Sequence, residues 1–352
     1  MSKTIVVVGA TGAQGGSVAR TFLQFPGWRV RGITRNPSGE AAQALAALGV
    51  EIVQGELDDK QSLVQAFEGA TVIFSNTDFF NHFFHVMNPE NLPAGRTPGE
   101  YAYDREVEQG MNIAEAAESP SVLKTLERFV FSNLSDARKW SGGKYTTVYH
   151  FDSKAEMIRL TRERCPGVAA KMSSIQMGHY VTNWKFFPKL APQKQPDGNF
   201  LLERTSSPTF RMPHFVTERD TGAFVKASID LPPGKDILAV SEYLTFPEWA
   251  EVWGRVHGVK VEYKQVSGDV FWAGLPESLK VEFRDSFDYI EDYGFTGGDP
   301  DVLDPEQVRS APRIDMSSVN IPQIDFKIPV TSVEEYIRGE DWSPILNPSA
   351  SS

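Results

Sequence analysis

Short apolar runs alternate with segments of helical character along the first half of the chain. The runs cover residues 4–8, 29–34, 50–54, 71–75, 128–131 and 170–175. Between them, residues 60–67, 100–117 and 149–164 have the length and the mixed apolar and polar composition of helices. Strands that alternate with helices are typical of a parallel sheet covered on both faces. The pattern therefore predicts an α/β fold with a Rossmann-type doubly wound parallel sheet, complete by about residue 180.

The pattern changes after residue 180, where short strands and helices are interspersed with proline-rich turns. It predicts a Rossmann domain over residues 1–180 and a smaller C-terminal α/β lobe over residues 181–345. Segments near residues 217–227 and 239–241 are expected to return to the main sheet. Residues 282–306 contain nine acidic residues and one basic residue, which predicts an amphipathic helix with a solvated acidic face.

The first apolar run leads into a glycine-rich turn, in which Gly9, Gly12 and Gly15 are three residues apart. Such glycines turn the chain sharply, let the backbone approach a pyrophosphate and let the following helix pack closely on the strand. The first N–H groups of that helix have no partner within it and are suited to bind phosphate. The turn therefore predicts a dinucleotide site.

The end of the second run indicates which dinucleotide is bound. An NAD site usually has an acidic residue there that accepts from the ribose 2′-OH, whereas the 2′-phosphate of NADP needs a cation. This run ends in Thr34-Arg35-Asn36, without an acidic residue. Because a guanidinium pairs with phosphate oxygens in bidentate fashion, Arg35 predicts NADP(H) as the cofactor.

Charge and composition exclude several function classes. The 352 residues carry a net charge of -11, which argues against direct binding to nucleic acid or to an anionic membrane. The sequence has no apolar run of membrane-spanning length, and its first strand leaves no room for a signal peptide. With Cys165 as the single cysteine, these features predict a soluble protein of the cytoplasm, with the nucleus left open. His82 and His85 lack the further ligands of a zinc site, so no metal is predicted.

Several of these segments resemble the NmrA-like family of atypical short-chain dehydrogenases. The resemblance rests on residues 7–15, on Thr34-Arg35-Asn36, on the turn at residues 55–59, on the strand end at residues 76–79 and on His150-Phe-Asp-Ser-Lys154. It implies a nucleotide site over the ends of the strands. The implied pyrophosphate ligands are Gly9, Thr11, Gly12, Gln14 and Gly15.

The resemblance also implies roles for residues farther along the chain. Arg35 would take the 2′-phosphate, and Asp58 would lie near the adenine. Asn76 and Thr77 would extend toward the nicotinamide half, and Lys154 would reach the nicotinamide ribose. The implied neighbours of the nicotinamide itself are Tyr180 and Asn183.

The chain departs from the family pattern at the catalytic acid. A working short-chain dehydrogenase resembles Y-x-x-x-K, but the residue four before Lys154 is His150, and Tyr149 is one step farther back. One residue rotates a helix by about 100°, so Tyr149 is expected to face another side of a regular helix. Histidine can itself act as a general acid. Ser132 or Asn133, after the fifth strand, is a candidate to orient a carbonyl, and whether His150 or Tyr149 faces the nicotinamide stays open.

Three functional hypotheses follow. The favoured one is an NADP(H)-binding, redox-responsive regulator, for example of transcription, that acts through a protein partner. The alternative is an NADPH-dependent reductase of a small carbonyl or enone, with aromatic compounds among the candidates, and a third is a cofactor-dependent scaffold without redox sensing. The aromatic run Phe79–His85 would form a wall beside the cofactor for a planar substrate or a partner, although Phe83 and Phe84 could instead be core. A homodimer is left open.

Overall fold

The computed structural model describes residues 2–313 and 328–348. Its strands, in chain order, are β1 (Lys3–Val7), β2 (Trp28–Thr34), β3 (Glu51–Gln54), β4 (Val72–Ser75), β5 (Arg128–Asn133), β6 (Met172–Met177), β7 (His179–Tyr180), β8 (Gln193–Lys194), β9 (Phe200–Arg204), β10 (Met212–Phe215), β11 (Asp236–Ala239), β12 (Glu242–Leu244), β13 (Val261–Gln265) and β14 (Val302–Leu303).

The helices fall between these strands. In chain order they are α1 (Ala13–Leu23), α2 (Glu40–Ala47), α3 (Lys60–Phe67), α4 (Phe79–His85), α5 (Pro98–Ala117), α6 (Pro120–Leu123), α7 (Ala137–Trp140), α8 (Tyr149–Arg164), α9 (Pro166–Ala169), α10 (Thr217–Ile229), α11 (Phe246–His257), α12 (Gly268–Phe271), α13 (Glu277–Tyr293), α14 (Pro305–Ser310), α15 (Val333–Gly339) and α16 (Ser343–Leu346). Short 3-10 turns cover Pro89–Asn91, Asn183–Lys185 and Pro188–Leu190. No helix in the described ranges combines the length and the apolar character needed to cross a membrane.

The large sheet has the strand order β3-β2-β1-β4-β5-β6-β11-β14, and every neighbouring pair in it is parallel. Its first six strands in sequence form the 3-2-1-4-5-6 order of a Rossmann fold. The predicted doubly wound fold is therefore confirmed, and the sixth strand ends at Met177.

Alternating side chains of β1 face opposite sides of the sheet. Ile5 and Val7 belong to a buried cluster that includes residues of α1 and α10. Val6 and Val8 belong to a second cluster, formed with residues of α3 and α5. Two covered faces explain why the consecutive residues from Ile5 to Val8 are all apolar, as is typical of a parallel sheet.

Segments after residue 180 contribute to the same sheet. β11 pairs with β6, so that Ile237 lies opposite Ile175, and β14 continues the edge. α10 packs against α1, where a Cβ on Gly222 would lie 2.1 Å from the Thr21 hydroxyl oxygen. Residues 236–239 thus return to the main sheet as a strand, close to the expected 239–241, whereas residues 217–227 belong to a helix, α10, rather than to a strand of the sheet. Where one domain ends and the next begins stays a prediction.

The remaining strands form two three-stranded sheets, β12-β10-β7 and β13-β9-β8. Together with α11, α13 and α15 they enclose a third core that is rich in aromatic residues, including Trp253, Trp272 and Tyr289. This core reaches α4 and the start of α8 through Phe83 and Phe151. The carboxyl end of the large sheet and the C-terminal segments therefore meet around the first turn of α8.

Candidate functional site

The turn between β1 and α1, residues 9–15, is shaped by glycine; we call it the nucleotide turn. Gly9 has a φ of +65°, in the left-handed region. A Cβ on Gly15 would lie 2.2 Å from the Gly9 carbonyl oxygen, so only glycine lets α1 approach the strand this closely. Both positions have the geometry that a dinucleotide-binding turn requires.

The first turn of α1 is suited to bind an anion. Gly12 is its N-cap and offers no side-chain acceptor, and the first turn contains no acidic residue. The helix N-terminus therefore presents its backbone N–H groups and the positive end of its dipole without a competing carboxylate. Thr11 and Gly12 are exposed beside it. These features fit a pyrophosphate.

Arg35 and Asp58 differ in how they are held. Arg35 follows β2 and is exposed, and none of the ion pairs formed within residues 2–313 and 328–348 includes it. Asp58 accepts hydrogen bonds from Arg105 at 2.5 Å and from Gln109 Nε2 at 3.1 Å. The guanidinium of Arg35 is thus available for a phosphate, whereas the carboxylate of Asp58 already has partners in α5.

The end of β4 connects the nucleotide turn to Lys154. A Cβ on Gly9 would lie 2.5 Å from Oδ1 of Asn76, so this amide covers the turn directly. The neighbouring Thr77 hydroxyl donates to Oε1 of Glu106 at 2.7 Å. Lys154 also donates to Glu106, and its Nζ lies 3.4 Å from the Thr77 hydroxyl oxygen.

Glu106 is the centre of this group. It is completely buried on α5 and accepts from Thr77, Lys154 and the hydroxyl of Ser153. A buried carboxylate is tolerated when it is paired with a cation and its oxygens are hydrogen-bonded. Glu106 thereby fixes the Lys154 ammonium at the carboxyl end of β4, where ligands of open α/β sheets bind.

His150 lies one helical turn before Lys154 and is held by a second buried carboxylate, Glu282 of α13. Glu282 Oε1 lies 2.5 Å from Nδ1 of the His150 ring and accepts the His150 backbone N–H at 3.0 Å. The other oxygen of Glu282 accepts the backbone N–H of Tyr149 at 3.2 Å. The ring centroids of Phe80 and His150 are 5.2 Å apart. We call His150 and Lys154, with these two carboxylates, the His150–Lys154 face.

Tyr149 points to a different region. Its ring packs on Gly99, where a Cβ would lie 2.4 Å from Tyr149 Cδ2, and its centroid is 6.4 Å from that of Tyr103. It lines a cavity of about 210 Å³ with Arg96, Glu100, Tyr103, Asp104 and Arg138. Burial raises the pKa of the phenol. α8 places this hydroxyl away from the group around His150, and a catalytic role for Tyr149 stays a prediction.

The other predicted residues lie around the same end of the sheet. Gln14 Nε2 donates to the Tyr180 hydroxyl at 2.6 Å, although the two residues are 166 positions apart. Burial raises the pKa of Tyr180. Ser132 is buried at the end of β5, and Asn183 begins the 3-10 turn that follows β7. The structure thus brings Gln14 and Tyr180 together, while the roles of Ser132 and Asn183 stay predictions.

Comparison with known proteins identifies the family. The model of the NmrA-like family matches residues 1–337. The chain belongs to the NmrA-like family. A relative, the NmrA-like family domain-containing oxidoreductase cpsB of Aspergillus campestris, is 31% identical over 288 residues, which are 78% of this chain and 80% of that protein.

Solved structures share the fold. NmrA, a negative transcriptional regulator, has a TM-score of 0.66 and 22% identity in its complex with NADP, covering 96% of this chain and 94% of that chain. The same regulator in complex with NAD has a TM-score of 0.67 and 22% identity, with 97% and 99% covered. Leucoanthocyanidin reductase from Vitis vinifera, in binary complex with NADPH, has a TM-score of 0.64 and 16% identity, with 95% and 98% covered. Structural neighbours of this NmrA-like chain therefore bind NADP, NADPH or NAD.

The two carboxylates of the His150–Lys154 face, Glu106 and Glu282, were not predicted from the sequence. Glu106 lies at helical spacing from the buried Ala102, Gln109 and Ile113, and Glu282 lies beside the buried Leu279 and Phe283. An acidic residue in the apolar phase of a helix is the signal that could have revealed them, since a buried charge requires a partner. This signal shows that the acidic residue is buried but does not show which residue pairs with it.

The expectation of a solvated acidic face on α13 is wrong for Glu282 and Asp285. Glu282 is buried against the start of α8, and Asp285 accepts from the Thr147 hydroxyl just before that helix. Asp292, two turns later, accepts from the Tyr145 hydroxyl at 2.7 Å. This acidic face is therefore directed, at these positions, toward the segment that leads into α8.

The aromatic run Phe79–His85 forms α4, and its side chains are divided between the core and the surface. Phe83 is buried, whereas Phe84 is 45% exposed. Near-parallel rings follow one another from Phe84 through Phe80 and Phe283 to Trp272, with centroids 5.9, 5.6 and 5.1 Å apart. His82 Nε2 lies 2.9 Å from Gln109 Oε1. Among the residues that the structure describes, no group of three or more His, Cys, Asp or Glu side chains could hold a metal ion.

Proposed function

We propose that this chain is an NADP(H)-dependent reductase of a small aromatic carbonyl or enone. One observation carries the proposal: His150 and Lys154, one helical turn apart, are each held by a buried carboxylate, and Lys154 lies 3.4 Å from the Thr77 hydroxyl at the strand end that contacts the nucleotide turn. Ionisable groups are costly to bury unless they are paired, and groups held in this way at the carboxyl end of a parallel sheet, where ligands bind, are candidates for catalysis. The oxidoreductase name of a relative with 31% identity supports the same class.

The chain's own residues fit the cofactor. The close contact of Gly15 with Gly9 and the uncapped start of α1 form a cradle for the pyrophosphate. Arg35, exposed and without an ion pair to the described residues, has the right charge for the 2′-phosphate. Because the regulator NmrA has been solved with both NADP and NAD, the fold leaves this choice open, and Arg35 is the argument for NADP(H).

The chemistry divides between cofactor and protein. Reduced nicotinamide, when bound, supplies the hydride for the substrate carbon. Lys154, fixed by Glu106 beside Thr77, would hold the nicotinamide half and the substrate oxygen in place. His150 gives the proton on its Nε2 to that oxygen and retains the proton on Nδ1 that it shares with Glu282. Solvent then returns a proton to Nε2, so that hydride and proton together reduce C=O to CH–OH.

The stacked rings of Phe84, Phe80, Phe283 and Trp272, which we call the aromatic row, favour a flat substrate. Phe80 contacts the His150 ring and stacks between Phe84 and Phe283. Aromatic rings bind one another in offset-stacked or edge-to-face arrangements, so a planar molecule beside His150 would find partners on this row. This agrees with the aromatic carbonyl or enone considered from the sequence.

The test is a screen of the purified full chain with NADPH. Aromatic and aliphatic aldehydes, ketones and enones are offered in pairs, and NADPH consumption is matched to product formed. We expect turnover of at least one aromatic member, with kcat lowered about a hundredfold or more in His150→Gln. His85→Gln, an exposed histidine on α4, is the matched control. Full activity of His150→Gln would refute the role of His150, and no turnover of any compound would refute the reductase.

The second candidate is a redox-responsive regulator that acts through a protein partner. Phe84 and Phe186 favour it, because these aromatic side chains are 45% and 78% exposed and could bind another protein. Regulation requires that NADPH and NADP+ differ in affinity for two conformations. This is tested by measuring hydrogen exchange at residues 79–92 and 183–190 with NADPH and with NADP+. Identical exchange with the two nucleotides would exclude redox sensing and leave only the cofactor-dependent scaffold. A homodimer and a cytoplasmic or nuclear location stay predictions.

A further inference from the structure

The first turn of α8 has its acceptor on another helix. The N-cap residue, Val148, makes no side-chain hydrogen bond. Instead Glu282 of α13, which is 1% exposed, accepts the backbone N–H groups of Tyr149 and His150 together with Nδ1 of His150. One carboxylate, 132 positions from His150, thus caps the start of the helix and fixes the ring of its second residue.

Neighbouring residues of α13 hold the chain that leads into α8. Asp285 accepts from the Thr147 hydroxyl, and Tyr289 hydrogen-bonds to Ser135 at 3.0 Å. Asp292 accepts from Tyr145 and, at 2.5 Å, from Lys144. Residues 282, 285, 289 and 292 recur every three to four positions, so one face of α13 makes all these bonds. Glu282 is therefore held in a fixed register against His150.

We infer that Glu282 is a positioning residue that fixes the tautomer and ring orientation of His150 and so selects Nε2 as the nitrogen that exchanges protons with substrate. The inference rests on the proposed reductase function. A carboxylate accepts and does not donate, so Nδ1 must carry the proton that faces Glu282. The other nitrogen is then the one left for the substrate, as in other sites where a carboxylate orients a histidine.

The first test reads the tautomer directly and needs no turnover. Ring ¹⁵N shifts of the labelled full chain, with His150 assigned by its loss in His150→Gln, are compared between the natural protein and Glu282→Gln. The introduced amide has one oxygen, which can still accept the Tyr149 backbone N–H, and one NH2 group, which can donate to Nδ1 of the ring. Part of the helix cap is therefore kept while the tautomer is released. We expect a proton on Nδ1 in the natural protein and a mixed or reversed state in Glu282→Gln. A proton on Nε2 alone in the neutral natural protein would overturn the inference.

The second test uses the reductase assay. Glu282→Gln should lower kcat at least about tenfold with KM for NADPH within about twofold, because the cofactor contacts are untouched. Glu282→Asp, which restores a carboxylate, should recover part of kcat. Glu277→Gln makes the same change at an exposed position in the first turn of α13 and should leave both kcat and the tautomer unchanged.

The outcomes separate the two proposals. If His150→Gln loses turnover while Glu282→Gln keeps both turnover and tautomer, the positioning role is wrong and the reductase stands. If the tautomer shifts as expected but no compound is turned over by the natural protein, the reductase fails and Glu282 orients His150 for another purpose.

Discussion

The nucleotide turn and the His150–Lys154 face lie at the same end of the sheet but are built differently. The turn is made of backbone, and its decisive contact joins residues only six positions apart, Gly9 and Gly15. The face is made of side chains whose partners lie 48 and 132 positions away, Glu106 for Lys154 and Glu282 for His150. Local sequence dictates the first, and tertiary packing assembles the second.

This difference has consequences for substitution. A site made of backbone tolerates most substitutions that leave its φ angles unchanged. It is disrupted only where an added Cβ would clash with neighbouring atoms. A site of buried charge pairs fails when either partner is removed and recovers when both are removed, because the cost lies in the charge that remains. The following substitutions test this contrast, from the largest expected effect to the smallest.

Lys154→Met should lower the free energy of unfolding by about 4 kcal/mol, because it leaves Glu106 buried and ionised without its cation. Glu106→Gln should be destabilising for the converse reason. The double variant should recover most of the loss, and urea unfolding of the four proteins measures the coupling. Simple additivity of the two losses would show that the pair is not a unit.

Gly15→Ala should lower the free energy of unfolding by about 3 kcal/mol, since the new Cβ would lie 2.2 Å from the Gly9 carbonyl oxygen. Gly12→Ala is the control on the same turn, because its Cβ would meet nothing closer than 3.4 Å. Thermal unfolding compares the two variants. Equal melting temperatures would mean that close backbone packing does not define this turn.

Arg35→Ala should weaken NADPH binding by about 2 kcal/mol, roughly thirtyfold, through loss of a charge-assisted contact to the 2′-phosphate. NADH, which lacks that phosphate, should bind about as before. Arg29→Ala, an exposed arginine at the opposite end of β2, is the control. Dissociation constants from nucleotide fluorescence decide the matter, and equal weakening of NADPH and NADH would contradict the assignment.

His179→Phe should make the protein more resistant to acid. Burial lowers the pKa of His179 to about 3, so the folded protein keeps this ring neutral while the unfolded chain takes up a proton below about pH 6.5. The natural protein therefore loses stability relative to the variant as the pH falls through 6.5, by about 1 kcal/mol at pH 5.5.

Urea unfolding at pH 7.5 and 5.5 measures that difference. Asp152, whose pKa burial raises to about 6, acts in the opposite direction but is common to both proteins. His85→Phe replaces an exposed histidine and should show no such gain. If both variants gained similar stability at pH 5.5, burial of the His179 ring would not be the cause of the acid sensitivity.

The contrast also explains what the sequence could predict. The first six strands, the glycine turn and the family follow from local patterns, and α8, which carries His150 and Lys154, has the bounds expected from its composition. Tyr149 was correctly expected to face another side, because helix geometry alone requires it. Glu106 and Glu282 could not be paired with Lys154 and His150, since nothing local specifies which distant residues meet. The acidic segment of α13 was misjudged for the same reason.

The most direct test of the cofactor site on which both functions depend is calorimetric titration of the full chain with NADPH, NADP+ and NADH under identical conditions. We predict that NADPH and NADP+ bind at the nucleotide turn at least about tenfold more tightly than NADH, a difference of about 1.4 kcal/mol. Equal binding of NADPH and NADH would contradict the role of Arg35, and absence of binding by all three nucleotides would contradict the site itself.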